Sequence, residues 1–239
     1  MYKIVFAAAI TLFASSCRYF GGERIRGNGV VKTATRQVSP FSQVHVSSNI
    51  DLYISQDSTS SVSLETDENL MEYIEVYTEG DELMIRTKKG YNLSSSKSIK
   101  AHVSAPLYRQ ISASGSCDIL TEEKLEQTEP LKIDLSGSSE VNMDIKSPKI
   151  SASLSGSGEL SLKGETRDFS VHGSGSTEVR STGLLAENVD VSFSGSGDAE
   201  VFASTTLKVS VSGSADVKYK GTPEVKQSIS GSGSVSKME

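Results

Sequence analysis

Tryptophan is absent from this 239-residue chain, and aromatic residues make up only 6% of it. That leaves few rings for the stacking platforms on which carbohydrate-processing sites depend. There are two cysteines, Cys17 and Cys117, so no disulfide framework is available and stability must come from packing. The three histidines, His45, His102 and His172, lie far apart and share no metal-ligand or catalytic-base spacing, which reads them as solvated strand residues. The formal charge of -6 argues against nucleic acid as a partner. Gly173-Ser174-Gly175 lacks the Lys-Ser/Thr that a phosphate-binding loop requires. The longest apolar run, Ile4 to Phe13, is too short to span a bilayer.

That run has a different meaning in its context. Lys3, the apolar stretch and then Ala14-Ser15-Ser16-Cys17 form a charged start, a hydrophobic core and a small-residue cleavage region, as in a secretory signal covering residues 1–16. A cysteine directly after the small residues resembles a bacterial lipoprotein signal. By that resemblance Cys17 is the lipidated first residue of the exported chain. Residues 17–29, with Arg18, Arg24 and Arg26 among four glycines, read as a flexible tether between lipid and fold. Removal of the leader takes away only Lys3 and shifts the formal charge to -7.

The strongest pattern is a hexapeptide, Ser-Gly-[Ser/Asp]-x-[Asp/Glu/Ser]-[Ile/Leu/Val], found seven times between Ser114 and Val235 at intervals of 16 to 22 residues. Regular recurrence at this period marks a solenoid. Counting in twos from the glycine follows one face of an extended strand. Those positions are apolar or small, as in Leu131, Ile133 and Leu135 or Leu207, Val209 and Val211, and the fourth residue past the glycine is always aliphatic. A flexible Ser/Gly linker would not hold this phase for over a hundred residues. Just past each glycine only small inward residues occur, so Gly115, Gly137, Gly156, Gly175, Gly197, Gly213 and Gly231 are assigned to tight corners between short strands.

The opposite parity is polar. A serine precedes each glycine, and an acid lies three residues past it in six copies: Asp118, Glu140, Glu159, Glu178, Glu200 and Asp216. Stacked at a strand spacing of about 4.8 Å, the seven motifs would draw serine and carboxylate columns about 29 Å long. The acidic column is the candidate binding ladder, suited to a cation or a basic partner.

From Val30 to Tyr108 no repeat is visible, but short alternating segments at Val44–Val46, Ile50–Ile54, Val62–Leu64, Ile74–Tyr77, Leu83–Arg86 and Ile99–Val103 predict strands. Asp67 to Tyr73 predicts a short helix capped by Asp67. Lys88 to Lys97 reads as a polar loop whose lysines and Tyr91 could contact a glycan or an acidic partner. The organisation expected is an N-terminal β region over residues 30–110 that caps a repeat region over 111–239, with 30–239 as one continuous domain the alternative.

Asn49-Ile50-Asp51, Asp67-Glu68-Asn69-Leu70 and the Ser-Gly corners together resemble the exported proteins described as auto-transporter adhesins with a head GIN domain, commonly lipoproteins of Bacteroidetes-type bacteria. The resemblance runs from about Val30 to Val235. It implies a single-stranded right-handed parallel β-helix and a role at the cell envelope, with the outer membrane as the expected location, and it carries no catalytic residues. The family's Gly-Ile-Asn-like site reads Asn49-Ile50-Asp51 here.

The function expected is non-enzymatic: a lipid-anchored module that recognises a glycan, an envelope protein or a cation. One alternative is a carbohydrate-active enzyme using Glu140 with Glu159, or Glu159 with Glu178, as paired carboxylates. Six equivalent acids speak against a unique catalytic pair. The other is a purely structural scaffold. No cofactor or metal site is expected. Structural calcium is the lesser alternative, because calcium-binding repeats use a nine-residue, glycine-rich period that this chain lacks.

Overall fold

A computed structural model describes residues 22–239; the leader and Cys17 lie outside the described residues. Alternation of small polar and β-branched residues dominates the chain, and it forms strands almost throughout. The N-terminal part holds β1 (Glu23–Arg26), β2 (Val31–Arg36), β3 (Gln43–Ser48), β4 (Ile50–Gln56), β5 (Ser61–Asp67), β6 (Ile74–Glu79), β7 (Glu82–Thr87), β8 (Tyr91–Ser94) and β9 (Ile99–Ala105). The motif-bearing part holds β10 (Gln110–Gly115), β11 (Asp118–Thr121), β12 (Leu125–Glu126), β13 (Leu131–Gly137), the long strand-forming stretch β14 (Glu140–Gly221), β15 (Glu224–Gly231) and β16 (Ser234–Lys237). All six strand segments expected between Val44 and Val103 fall inside these elements.

The expected single-stranded right-handed parallel β-helix is corrected. The protein is all-β, but its strands form a nearly closed, barrel-like sheet of mixed pairing, with an eleven-strand path β2-β5-β9-β4-β11-β14-β13-β10-β3-β7-β6. The pairs β2–β5, β5–β9 and β6–β7 are antiparallel, whereas β3–β10, β10–β13 and β13–β14 are parallel. Side-chain alternation has the same period in both kinds of pair, so the pattern that located the strands was blind to their partners.

One hydrophobic cluster runs from Phe41 to Val217 through both parts of the chain. Val44, Ile111 and Ile133 occupy neighbouring register positions in β3, β10 and β13, and each is fully buried. Tyr108 is buried as well, its hydroxyl donating to the carbonyls of Ser55 (2.7 Å) and Val103 (3.1 Å).

The corner glycines stand in register. Gly115 pairs with Gly137, Gly137 with Gly156, and Gly213 with Gly231. Each has a positive φ; that of Gly156 is 109°. A Cβ on Gly156 would stand 2.5 Å from the Gly137 carbonyl oxygen. Two constraints therefore coincide, a dihedral that L-residues avoid and a strand too close to admit a side chain. The column starts at Ser48, which pairs with Gly115 and holds φ 78°, the one positive-φ residue other than glycine among those described. Ser47-Ser48-Asn49-Ile50-Asp51-Leu52 is thus an eighth copy of the motif, hidden because serine replaces its glycine.

The fifth corner is corrected. Gly195, with φ 127°, takes the place assigned to Gly197, and a Cβ on it would meet the Gly175 carbonyl oxygen at 2.6 Å. Ser194-Gly195-Ser196-Gly197 holds two overlapping Ser-Gly pairs, and the buried Ala199 fits the inward site beyond the corner.

Residues 23–29, expected in a flexible tether, are built into the fold. β1 runs parallel to β8, which converts part of the expected Lys88–Lys97 loop into a strand. Asp67 holds this segment: its carboxylate accepts the amides of Gly29 (2.7 Å) and Ser96 (2.7 Å) and the Ser96 hydroxyl (2.7 Å). It does not cap the following 3-10 helix, Glu68–Tyr73, as the sequence suggested. The Ser96 amide, ahead of the other donors, holds the Asp67 carboxyl below its ordinary value of 3.8.

Three outcomes are expected. Gly156→Val should cost about 3 kcal/mol or more, a fall of roughly 6–12 °C in a thermal melt. Ser48→Gly should stabilise the fold by about 1 kcal/mol in denaturant unfolding, by relieving its strained φ. Because the folded Asp67 pKa is depressed, its contribution is intact above the unfolded value near 3.8 and is lost as pH falls through the folded one. The Gly29 and Ser96 amides should lose hydrogen-exchange protection in that acid window, and Asp67→Asn should remove the dependence.

Candidate functional site

The glycine column divides two polar faces. Before each corner, outward residues of consecutive strands bring serines side by side: Ser114, Ser136, Ser155, Ser174, Ser194, Ser212 and Ser230 border one groove of about 930 Å3. Ser194, not the Ser196 of the expected motif, stands in this column, following the shift to Gly195. Two residues earlier along each strand lies a second column, containing His45, Ser112, Asp134, Ser153, His172, Ser192, Ser210 and Ser228. Among the described residues the groove thus combines these short hydroxyls with one carboxylate and with the apolar Leu135, Leu154, Phe193 and Val211, and the carboxylate is engaged. Asp134 accepts Lys132 at 2.7 Å and Gln110 at 3.0 Å. The serine face was legible in the motif, but His45 and His172 share it only because register aligns residues that sequence separates.

Beyond the corner, Asp118, Glu140, Glu159 and Glu178 line a second groove of about 620 Å3, as expected of neighbouring motif copies. Asp198 is the next acid there, while Glu200 lies outside it and faces Lys218 at 3.8 Å. Asp216 accepts the Ser234 hydroxyl at 2.7 Å. Asp51 extends the row at its other end: Asp118 and Asp51 occupy neighbouring strands, and the Asp118 amide points to an Asp51 oxygen at 3.4 Å. Burial, and then Asp51, push the Asp118 carboxyl above its ordinary value. Sequence reasoning missed Asp51 because its copy of the motif has no glycine.

The acidic row is partly neutralised from within. Arg180 donates to Glu178 at 2.7 Å and also to Glu159. This guanidinium ties together one of the carboxylate pairs considered for catalysis. Among the described residues, no three His, Cys, Asp or Glu side chains converge on a point that could hold a metal ion. Cys117 is buried against the Ser48 carbonyl at 3.1 Å, and burial pushes its thiol up to about 11, which suits packing rather than nucleophilic chemistry. His102 lies apart from both grooves, stacked on Tyr53 with centroids 4.9 Å apart and bonded to Glu122 at 2.8 Å.

Several solved structures share this architecture. A "Putative lipid binding protein" from Parabacteroides distasonis ATCC 8503 is 25% identical with a TM-score of 0.74, covering 91% of this chain and 100% of that one. A "putative adhesin" from Bacteroides fragilis NCTC 9343 is 21% identical with a TM-score of 0.81, covering 90% and 100%. Another, from Parabacteroides merdae ATCC 43184, is 21% identical with a TM-score of 0.64, covering 91% and 100%. No curated protein matches the chain. The model of the family described as "Putative auto-transporter adhesin, head GIN domain" matches residues 40–223, and with that span the chain belongs to this family.

Proposed function

We propose that the protein is an exported, non-enzymatic recognition module, anchored to the cell envelope through a lipid on Cys17, that holds an extended, uncharged polymer such as a glycan in its serine groove. The observation that carries this reading is the repetition of hydroxyls at strand spacing along one groove, with Asp134 as the only acid bordering it among the described residues. A repeated array of short donors and acceptors suits a ligand that is itself repetitive. Each hydroxyl contributes weakly, about 1 kcal/mol per hydrogen bond, so affinity accumulates along the groove. The acidic row is the weaker candidate, because Arg180 already satisfies Glu159 and Glu178 within it. The family's adhesin description supports a surface role, and the outer membrane is the location that the lipoprotein-like leader favours.

A lipid surface is the second reading. Leu185 is 53% exposed and, with Pro148, Ala186 and Phe202, lines a groove of about 680 Å3 whose rim carries Lys146, Glu165, Arg167 and Glu187. One similar structure is described as a lipid binding protein.

Two triple variants separate the grooves on a glycan array. Ser155→Glu, Ser174→Glu and Ser194→Glu together should weaken the strongest hit at least about tenfold, the equivalent of about 1.4 kcal/mol. Glu140→Gln, Glu159→Gln and Glu178→Gln together should leave it unchanged. Loss only in the second triple would transfer the site to the acidic row. Binding to vesicles that Leu185→Ser abolishes, with no glycan hit, would favour the lipid.

A further inference from the structure

β1 is where the lipid anchor proposed above would meet the fold. The Glu23 amide donates to the Gly90 carbonyl at 2.8 Å, and a Cβ on Gly22 would stand 2.5 Å from the same carbonyl group. The chain therefore enters the fold at a fixed point, against the turn that precedes β8. Cys17 is only a few residues upstream of Glu23, a reach of at most about 21 Å. A lipid on Cys17 would hold this end of the fold within that distance of the bilayer surface.

The residues at this end suit such a surface. Arg24 and Arg26 of β1 share one face of the β1–β8 ribbon with their register neighbours Asn92 and Ser94, so that face carries no acid. Lys88 and Lys89 precede β8 and Lys97 follows it, in a stretch of chain with no acid between Glu82 and Asp118. All five cations are exposed. Among the described residues none of them forms an ion pair, whereas most cations elsewhere on the fold do, as Lys132 with Asp134, Lys163 with Asp144 and Lys208 with Asp190. The acids here are Glu23 and Glu72, both near Tyr73 on the side of Tyr91, and Glu68, which Lys32 pairs. Val30 and Tyr91 are, with Leu185, the large hydrophobic side chains left exposed among the described residues.

We propose that the β1–β8 ribbon and its flanking turns form a membrane-contact surface that takes anionic lipid headgroups; the choice of a membrane rests on the lipid anchor in the function proposed above. Clustered Lys and Arg beside a membrane anchor attract anionic lipid, and they act over roughly 8 Å at physiological salt. The anchor brings the ribbon into that range, and the charges select the face that settles. The whole chain has a formal charge of -6, so the rest of the fold is net negative and turns away from the same surface. Tyr91 fits the headgroup layer, where aromatic rings with a polar tip are favoured. Docked in this way, the fold keeps one orientation instead of swinging about its anchor.

The test uses the exported chain made without residues 1–16 and carrying Cys17→Ser, so that no lipid contributes. Its probes are phosphatidylcholine vesicles with and without phosphatidylglycerol. The chain should sediment with the anionic vesicles and not with the neutral ones, and added salt should release it. Lys88→Gln with Lys89→Gln should weaken binding at least about tenfold, as should Arg24→Gln with Arg26→Gln. Lys149→Gln with Lys220→Gln, the same change of charge at exposed lysines elsewhere, should leave it unchanged, and so should Leu185→Ser. Equal binding to both vesicles, binding to neither, or equal weakening by all three pairs would overturn the proposal. The anchor is read separately, by mass spectrometry of Cys17 in the chain purified from its host. An acylated Cys17 without anionic-vesicle binding would keep the anchor and overturn this surface, whereas ribbon-dependent binding with an unmodified Cys17 would keep the surface and overturn the anchor.

Discussion

Close approach of backbone to backbone at the corner column governs the rest of the structure. Where Gly115, Gly137 and Gly156 stack, the carbonyl oxygen of one strand occupies the space that the next residue's Cβ would need. Glycine's permitted positive φ turns the chain there, and its missing side chain lets consecutive strands approach. The second set of turns follows the same rule, since a Cβ on Gly164 or Gly221 would collide with the carbonyl of Ile145 or Ala203. Once these positions are set, alternation distributes all other residues between a continuous core and two polar faces.

The two faces differ in chemistry because they lie on opposite sides of the same corner. Serines come before it and acids after it. The serine side keeps short, uncharged groups along a groove, whereas the acidic side draws Arg180 and Lys218 into ion pairs. Those pairs are partly exposed and contribute little to stability individually. Their consequence is electrostatic, since they reduce the field of the acidic row and leave the serine groove the more regular recognition surface.

Much of this was legible in the residues. The phase of Leu131, Ile133 and Leu135 marked a buried face, and six of the seven expected glycines take the corner. What failed had physical causes. Alternation reports the two faces of a strand but not its partner, so the mixed, barrel-like sheet could not be told from a β-helix. Ser48 concealed the first corner because the structure tolerates a strained serine where every later copy has glycine. Tandem Ser-Gly pairs at 194–197 offered two phases, and only contact with Gly175 distinguishes them. Local rules make Asp67 a helix cap, yet its partners Gly29 and Ser96 are remote in sequence, where such rules have no reach.

The close approach can be separated from backbone conformation by comparing two glycines with positive φ. A Cβ on Gly90, with φ 92°, would meet nothing beyond its chain neighbours within 4 Å, whereas a Cβ on Gly175, with φ 106°, would collide with the Gly156 carbonyl oxygen. The most direct measurement is the unfolding free energy of Gly90→Ala against that of Gly175→Ala. Conformation alone should cost each about 1–2 kcal/mol, so the account predicts a distinctly larger loss for Gly175→Ala. Equal losses would mean that φ, and not the packing of strand against strand, is what the corner glycines serve.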